Sequence, residues 1–508
     1  MAEPVLELDD IQGHVLFGFG GGFHRLLGLR VRPECIETGR QILPGFIGQV
    51  ATARLSLEWR LRRREAALAE QPRPANNTPM MAMAFSAAGL EFFGAANRPE
   101  EALFNAPASD IAGELLDDFD SATGLPAGWK FGDCEESTPH VLLVIASDSK
   151  SALRQWEEDF RSKLEVCADI IYEDDGARLP GDKEHFGFRD GVSQPAVRGL
   201  LEDGSFISHR AYTTAHPFRD RFAKPGRPLV WPGQFLFGYQ TQRVDSPSPG
   251  PVMQPELRNG SLLVFRRLRQ DVAKFQAEMA ALAARFTASG LSVDAATTAA
   301  WCVGRWPDGT PLTLSPHGPD QSISGDPTRL NGFLFERRLD QTDLVGLNGR
   351  AETFSGAASD PNAFTCPFFA HIRKVNPRDQ TVDQGTPGVT SRAQMLRRGV
   401  PYGPRWPGAE DGGDRGLLFL AYMTSVEEQF MRLSRLWANN RNAPPPGDGI
   451  DPIIGAFKYE GQDVRPLTRR TGPGVAINTF VEGRWVHATG TGVFFAPGIK
   501  MLHAIVAG

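Results

Sequence analysis

Three times in this 508-residue chain, a short apolar run of strand length gives way to a polar break and then to an amphipathic helical pattern. His140 to Ala146 (HVLLVIA) leads through Ser147, Asp148 and Ser149 into 151–165, where Leu153, Trp156, Phe160 and Leu164 recur at helical spacing. Ser261 to Phe265 leads into Asp271 to Phe286, and Leu417 to Tyr422 leads through Thr424 and Ser425 into Val426 to Trp437. This recurrence predicts strand-helix building blocks in both halves of the chain. Long irregular stretches, to which 54 Gly and 39 Pro contribute, separate the units. Strands and helices therefore alternate too loosely to argue for a barrel or a doubly wound sheet, and an α+β architecture of helices packed on antiparallel sheets is expected.

The length calls for more than one domain. The passage richest in Pro, Gly and Ser runs from about 216 to 260 (HPFRDRFAKPGRPLVWPG, later DSPSPGPVMQPELRNGS), which puts the expected boundary near 220, between units 1–220 and 221–508. A second polar, Pro-rich stretch, Asn439 to Gly449, reads as a surface connection.

A formal net charge of -6 gives no basic footprint, so nucleic acid is not an expected partner. Five scattered Cys without a CxxC pair argue for buried thiols rather than a disulfide framework or a zinc site. The acidic start MAEPVLELDDIQG does not read as a secretory signal, and the longest apolar runs, such as Leu417 to Met423, are far too short to span a membrane. A cytoplasmic protein without membrane partners is the expectation.

FGFGGGF at Phe17 to Phe23 lacks the third glycine of a dinucleotide-binding loop and reads as a hairpin turn. No GxSxG, HExxH or P-loop lysine motif occurs. Three other segments carry chemistry. In HFGFRDGVSQP (185–195), Asp190 lies between Gly187 and Gly191, and flanking Phe186, Phe188 and Pro195 are expected to desolvate it, as a proton shuttle requires. In CPFFAHIRKVNPR (366–378), His371 precedes Arg373, Lys374 and Arg378, a basic cluster that suits either a diacid cofactor or the solvated end of an element. MLRRGVPYGP (395–404) sets Arg397 and Arg398 before a Gly/Pro turn.

Taken in order, these segments resemble the dye-decolorizing peroxidase family. Gly187 to Gly191 match its GxxDG motif and the match continues through VSQP, CPFFAHIRKVNPR resembles the segment with the haem-ligating histidine, and LRRGVPYGP the one with the distal arginine. DRGLLFLAYMTSVEEQF resembles the distal strand and its helix, and LDDIQGHVL the family's start, so the likeness spans nearly the whole chain and is nearest the larger fungal-type subgroup. It implies two ferredoxin-like domains, the first carrying GxxDG and the second most of the pocket. It also implies one non-covalent b-type haem per chain, and a reaction in which hydrogen peroxide forms an oxoferryl intermediate that oxidises dyes, phenolics and other aromatic reductants. A haem-handling protein of the deferrochelatase kind is the alternative.

Carried over by residue, His371 becomes the metal ligand, and Asp190 and Arg397 the distal acid-base residue and arginine. Arg397 is preferred to Arg398 because the family's arginine lies two positions before a Gly or Asn, here Gly399. Leu417 and Phe419 share one strand face and are expected to wall the peroxide side. Glu427 or Glu428 is the candidate partner for the other nitrogen of His371, and Cys366 a competing thiolate ligand. Bulky dyes suggest an aromatic relay to the surface through Tyr402 and Trp406, with Trp437 behind them. A Tyr402→Phe, Trp406→Phe variant assayed on a bulky dye and on a small phenol is expected to lose the first activity selectively; full dye turnover would eliminate the relay.

Overall fold

A computed structural model of the chain describes residues 2–507 other than 201–211, 214, 216–218, 245, 327–328, 339–343, 346–350, 353–357, 383–387, 444, 446 and 460–461. Each of the three polar breaks ends in a residue that caps the helix after it. Ser149 accepts from Ala152 N–H, Asp271 from Lys274 N–H and Ser425 from Glu428 N–H, opening helices Lys150–Leu164, Val272–Ala288 and Val426–Ala438. The strands before them, Val141–Ser147, Ser261–Gln270 and Gly416–Met423, belong to a set of nine. The N-terminal half supplies β1 (Phe23–Val31), β2 (Met80–Phe85), β3 (Val141–Ser147) and β4 (Ala168–Ala177). The C-terminal half supplies β5 (Ser261–Gln270), β6 (Leu396–Arg397), β7 (Val400–Tyr402), β8 (Gly416–Met423) and β9 (Val486–Ala496).

Both halves run strand, helix, two strands, helix, strand, and both pair antiparallel, in the orders β2-β3-β1-β4 and β7-β8-β5-β9. This is the ferredoxin-like arrangement twice over. The two sheets are not separate layers, however. Phe495 of β9 pairs with Phe85 of β2, and Tyr402 of β7 with Gly176 of β4, so the eight strands close on themselves. A barrel of the antiparallel kind is thus present where the spacing of strands and helices gave no argument for one; closure depends on pairings between halves that no local pattern carries. It also leaves neither sheet with a long bare edge.

Closure explains why the strand sequences are apolar at both parities. In β3, Leu142, Val144 and Ala146 join one core while Val141, Leu143 and Ile145 join another. The first fills the barrel, where Phe131 stacks on Phe265 of β5, 4.9 Å between ring centroids, and leans on Tyr172 of β4. The second lies under the outer helices, with Leu153 and Phe160 from one and Phe430 and Trp437 from another.

The glycine run at 17–23 is not a hairpin turn. It joins helix Gly13–Leu16 to β1, with Gly22 N–H donating to Asp148 Oδ1 at 3.0 Å. A Cβ at Gly21 would come within 2.9 Å of Ser147 N, so the close pass over the end of β3 requires glycine there. Among the described residues, no helix is long and apolar enough to cross a membrane.

Phe85 is fully buried at the seam, against Phe93 and opposite Phe495. Phe85→Ala is expected to cost about 3–5 kcal/mol, read as a lower guanidinium midpoint; a loss under about 1 kcal/mol would mean that the seam does not bear on stability.

Candidate active site

The strand alternation that fills the barrel also builds a cavity on its outside. Leu418 and Leu420 of β8 point into the barrel core, which leaves Leu417 and Phe419 on the other face. Together with Arg266, Leu268 and Gln270 of β5 they line a cavity of about 310 Å³. Helices His371–Val375 and Val426–Ala438 supply further wall, the latter through Phe430, Leu433 and Ser434. That helix ends with Asn439 N–H on the carbonyl of Ser434, five residues back, the wide winding that frequently accompanies functional sites.

Asp190, His371 and Arg397 line the same cavity as Leu417 and Phe419. His371 opens its short helix, and its Nδ1 bonds Asp451 Oδ2 at 2.8 Å. Asp451 is fully buried, and its Oδ1 accepts from the N–H groups of Ile453 and Ile454 at 2.8 and 3.1 Å. Burial would raise the Asp451 carboxyl, but the imidazole and the two N–H donors outweigh it and hold the group below the usual carboxylate range. Burial likewise opposes charge on His371, and the adjacent carboxylate overrides it to hold the imidazole above its usual range.

Asp451 replaces Glu427 and Glu428 as the partner of His371. Glu428 is spent on Arg432, and the Glu427 N–H on Glu101, at the far end of their helix. Asp451 stands 80 positions from His371, in GDGIDPIIG, and nothing in that segment sets it apart from an ordinary Asp-Pro turn.

Asp190 rides on a loop set by Gly187 and Gly191, whose φ values are 96° and 68°. Its N–H donates to the carbonyl of Asp182 at 2.9 Å, and its Oδ1 accepts from Gly191 N–H at 2.6 Å. The carboxylate is not covered by its neighbours: Asp190 is exposed to the cavity, while Phe186 stacks on Phe275 and Phe188 turns into the core. The loop is fastened to the strands that bear Arg397. His185 Nε2 bonds the Tyr402 carbonyl at 2.8 Å, and the Gln194 amide makes two bonds to the Arg397 backbone. The Arg397 side chain donates to the Ser193 carbonyl; burial lowers its guanidinium from the usual value and the charge of Asp190 opposes that. Arg398 turns away and binds the carbonyls of His14, Val15 and Leu16, capping helix Gly13–Leu16.

The basic cluster after His371 divides. Arg373 is buried between the rings of Phe335 and Phe368 and bonded to Asp360 and Gln380, and Lys374 reaches the carbonyls of Asn440 and Ala443. Neither is the solvated end of an element, and neither lines the cavity. Arg378 does, with Arg305 and Arg189. Arg305 and Arg378 bond carbonyl oxygens and the Asn331 amide, with no carboxylate among their hydrogen-bond partners in the described residues. A largely apolar cavity lined by an imidazole and by two guanidiniums with no carboxylate partner among the described residues fits a flat, apolar, diacid iron cofactor.

Of the proposed relay, Tyr402 is 2% exposed; its hydroxyl accepts from Arg267 and donates to Asp414 at 3.2 Å. Trp406 is half-buried and Trp437 wholly so. Cys366 does not line the cavity, and burial pushes its thiol up to about 12.

No family model matches the chain. It is 29% identical over 519 residues to the dye-decolorizing peroxidase of Exidia glandulosa, covering 99% of this chain and 87% of that one, and 27% identical to dye-decolorizing peroxidase msp1 of Mycetinis scorodonius, covering 99% and 88%. An ancestral D-type dye-decolorizing peroxidase shares the fold with a TM-score of 0.77 at 26% identity, over 99% of this chain and all of that one. A dye-decolorizing peroxidase in complex with 2,6-dimethoxyphenol has a TM-score of 0.73, also with 26% identity and the same coverage.

With its thiol so far from ionised, Cys366 in the native protein at pH 8 is expected to react with iodoacetamide on the order of 10³-fold more slowly than in the unfolded chain, as followed by peptide mass spectrometry. Equal rates would restore it as a competing ligand.

Proposed function

We infer that this chain is a dye-decolorizing peroxidase of the larger, fungal-type subgroup, a haem-dependent enzyme that reduces hydrogen peroxide and oxidises dyes, phenolics and other aromatic reductants. The observation that carries this reading is the meeting of Asp190, Arg397 and the His371–Asp451 pair in one cavity, in a chain similar along its length to such enzymes.

The cofactor we assign is one non-covalent b-type haem per chain. No CxxCH attachment motif occurs in the sequence. His371 is the iron ligand in this reading: Nδ1–H donates to Asp451, which leaves the Nε2 lone pair for the metal and makes the ring more electron-rich. Arg305 and Arg378 take the carboxylate groups, and Leu417 and Phe419 wall the reacting side. When bound, haem would supply an iron centre able to accept oxidising equivalents from peroxide and pass them to an aromatic reductant.

The chain's own residues handle the protons. Hydrogen peroxide must lose a proton from one oxygen, and the other oxygen must gain one to depart as water. A single carboxylate does both, and Asp190, open to the cavity and fixed by Gly191 N–H, is the group assigned to it. The departing oxygen carries negative charge as the O–O bond stretches. The Arg397 guanidinium, tied back to Ser193, needs no reorganisation to meet that charge. The same bonds that hold Arg397 hold the Asp190 loop, so base and guanidinium keep a fixed separation.

Two variants test these assignments. His371→Ala is expected to lose haem on gel filtration, whereas Arg397→Leu should retain it and react with peroxide about 10²- to 10³-fold more slowly. Normal haem retention in the first would move the iron to another residue. A wild-type peroxide rate in the second would remove Arg397 from the reaction.

A further inference from the structure

Besides Asp190, two carboxylates line the cavity: Asp117, which is paired with Arg266, and Glu184, which has no salt bridge among the described residues and which the proton transfers above do not use. Glu184 lies six positions before Asp190 on the same loop, and its side chain is folded into that loop. Oε1 accepts from Phe188 N–H at 2.9 Å, and Oε2 from Phe186 N–H at 2.8 Å. A third donor, the Gln270 amide at the end of β5, also reaches Oε2. Gln270 is 7% exposed, and its own Oε1 is buried with no hydrogen-bond partner among the described residues. The amide is therefore held at one end only. A half-turn exchanges its N–H₂ for its carbonyl oxygen, so the same two side chains stay bonded whether Glu184 is an ionised acceptor or a protonated donor.

We propose that Glu184, through the Gln270 amide, sets the alkaline limit of peroxide activation. Protonated, it adds no charge to that of Asp190. Ionised, it adds a second negative charge to the wall of the cavity in which charge develops on the departing oxygen, and disfavours it. Burial pushes the Glu184 carboxyl up to about 7, and the charge of Asp190 acts in the same direction, against the three hydrogen bonds. None of the other charged groups around it has a hydrogen bond to it. Arg189, on its own loop, binds the Ser324 carbonyl, and Arg266, on the same face of β5 as Gln270, is paired with Asp117. Arg484 is paired with Asp463, and Arg397 is bonded to Ser193. For a carboxyl raised in the folded protein, the protonated form is full below the midpoint and lost as pH rises through it. Activation should therefore be strong in acid and fall through a midpoint near 7. Glu184 is a poising residue and not a catalytic one, because it touches the loop and not the peroxide.

The proposal rests on the assignment of Asp190 and Arg397 to the peroxide side, and the test separates the two. Stopped-flow rates of the haem-loaded protein with peroxide are measured from acid to alkaline pH for wild type, Glu184→Gln and Gln270→Met, together with infrared spectra of the carboxyl stretch over the same range. Wild type is expected to show a protonated-carboxyl band and a peroxide rate that disappear together. Glu184→Gln should lack the band and keep its acid rate across neutrality. Gln270→Met, which removes a donor to the ionised form, should move the midpoint upward. A merely structural Glu184 would lower the rate at every pH without removing the alkaline limb. Persistence of that limb in Glu184→Gln, or a band that stays in that variant, overturns the proposal, whereas a wild-type protein inert to peroxide at all pH values would overturn the underlying assignment instead.

Discussion

The site depends first on the 2.8 Å bond between His371 and a carboxylate with no exposure to solvent. A buried charge is tolerated only when its lone pairs are met, and Asp451 meets them with the imidazole and the N–H groups of Ile453 and Ile454. The backbone around it is tied just as firmly. Asp451 N–H donates to the carbonyl of Ala438, at the end of helix Val426–Ala438, and Gly455 N–H returns to the Asp451 carbonyl. A Cβ at Gly455 would meet that carbonyl oxygen at 2.3 Å, so glycine lets the segment double back. The ring of His371 is thus oriented by a loop hung from the helix that walls the same cavity.

The acid-base side is held by a different unit. His185 on Tyr402, Gln194 on Arg397 and Arg397 on Ser193 bind the Asp190 loop to β6 and β7. Because β7 also carries the seam to β4, closure of the barrel and placement of Asp190 share one structural element. Asp190 and Arg397 thus belong to one hydrogen-bonded unit. That property suits a pair whose value lies in fixed separation rather than in mutual contact.

What the sequence made legible follows from range. The three strand-helix units are local patterns, and each appears with its cap within a residue or two of the expected place. Alternation put Leu417 and Phe419 on one face, and that face is the cavity wall. Asp190, His371 and Arg397 stand out only through the company of their motifs. Contacts between distant positions left no such trace. Asp451 is one Asp among many until the fold brings it to His371, and the Phe85–Phe495 seam joins the two halves. Arg373 and Lys374 mislead for the same reason: a basic pair beside a histidine looks solvated until Asp360 and the Phe335 and Phe368 rings close around the first, and the carbonyls of Asn440 and Ala443 around the second. The glycine run was misjudged because its partner, the end of β3, lies over a hundred positions away.

The most direct test of the account is a haem titration of the purified chain followed by rapid mixing with one equivalent of hydrogen peroxide, with visible absorbance as the readout. The account predicts saturation at one haem per chain, an absorbance change complete within the fast phase of mixing, and recovery of the starting spectrum when a phenolic reductant is added. A slow reaction with peroxide accompanied by release of iron-free porphyrin would contradict it, and would assign the cavity to haem handling rather than to peroxide chemistry.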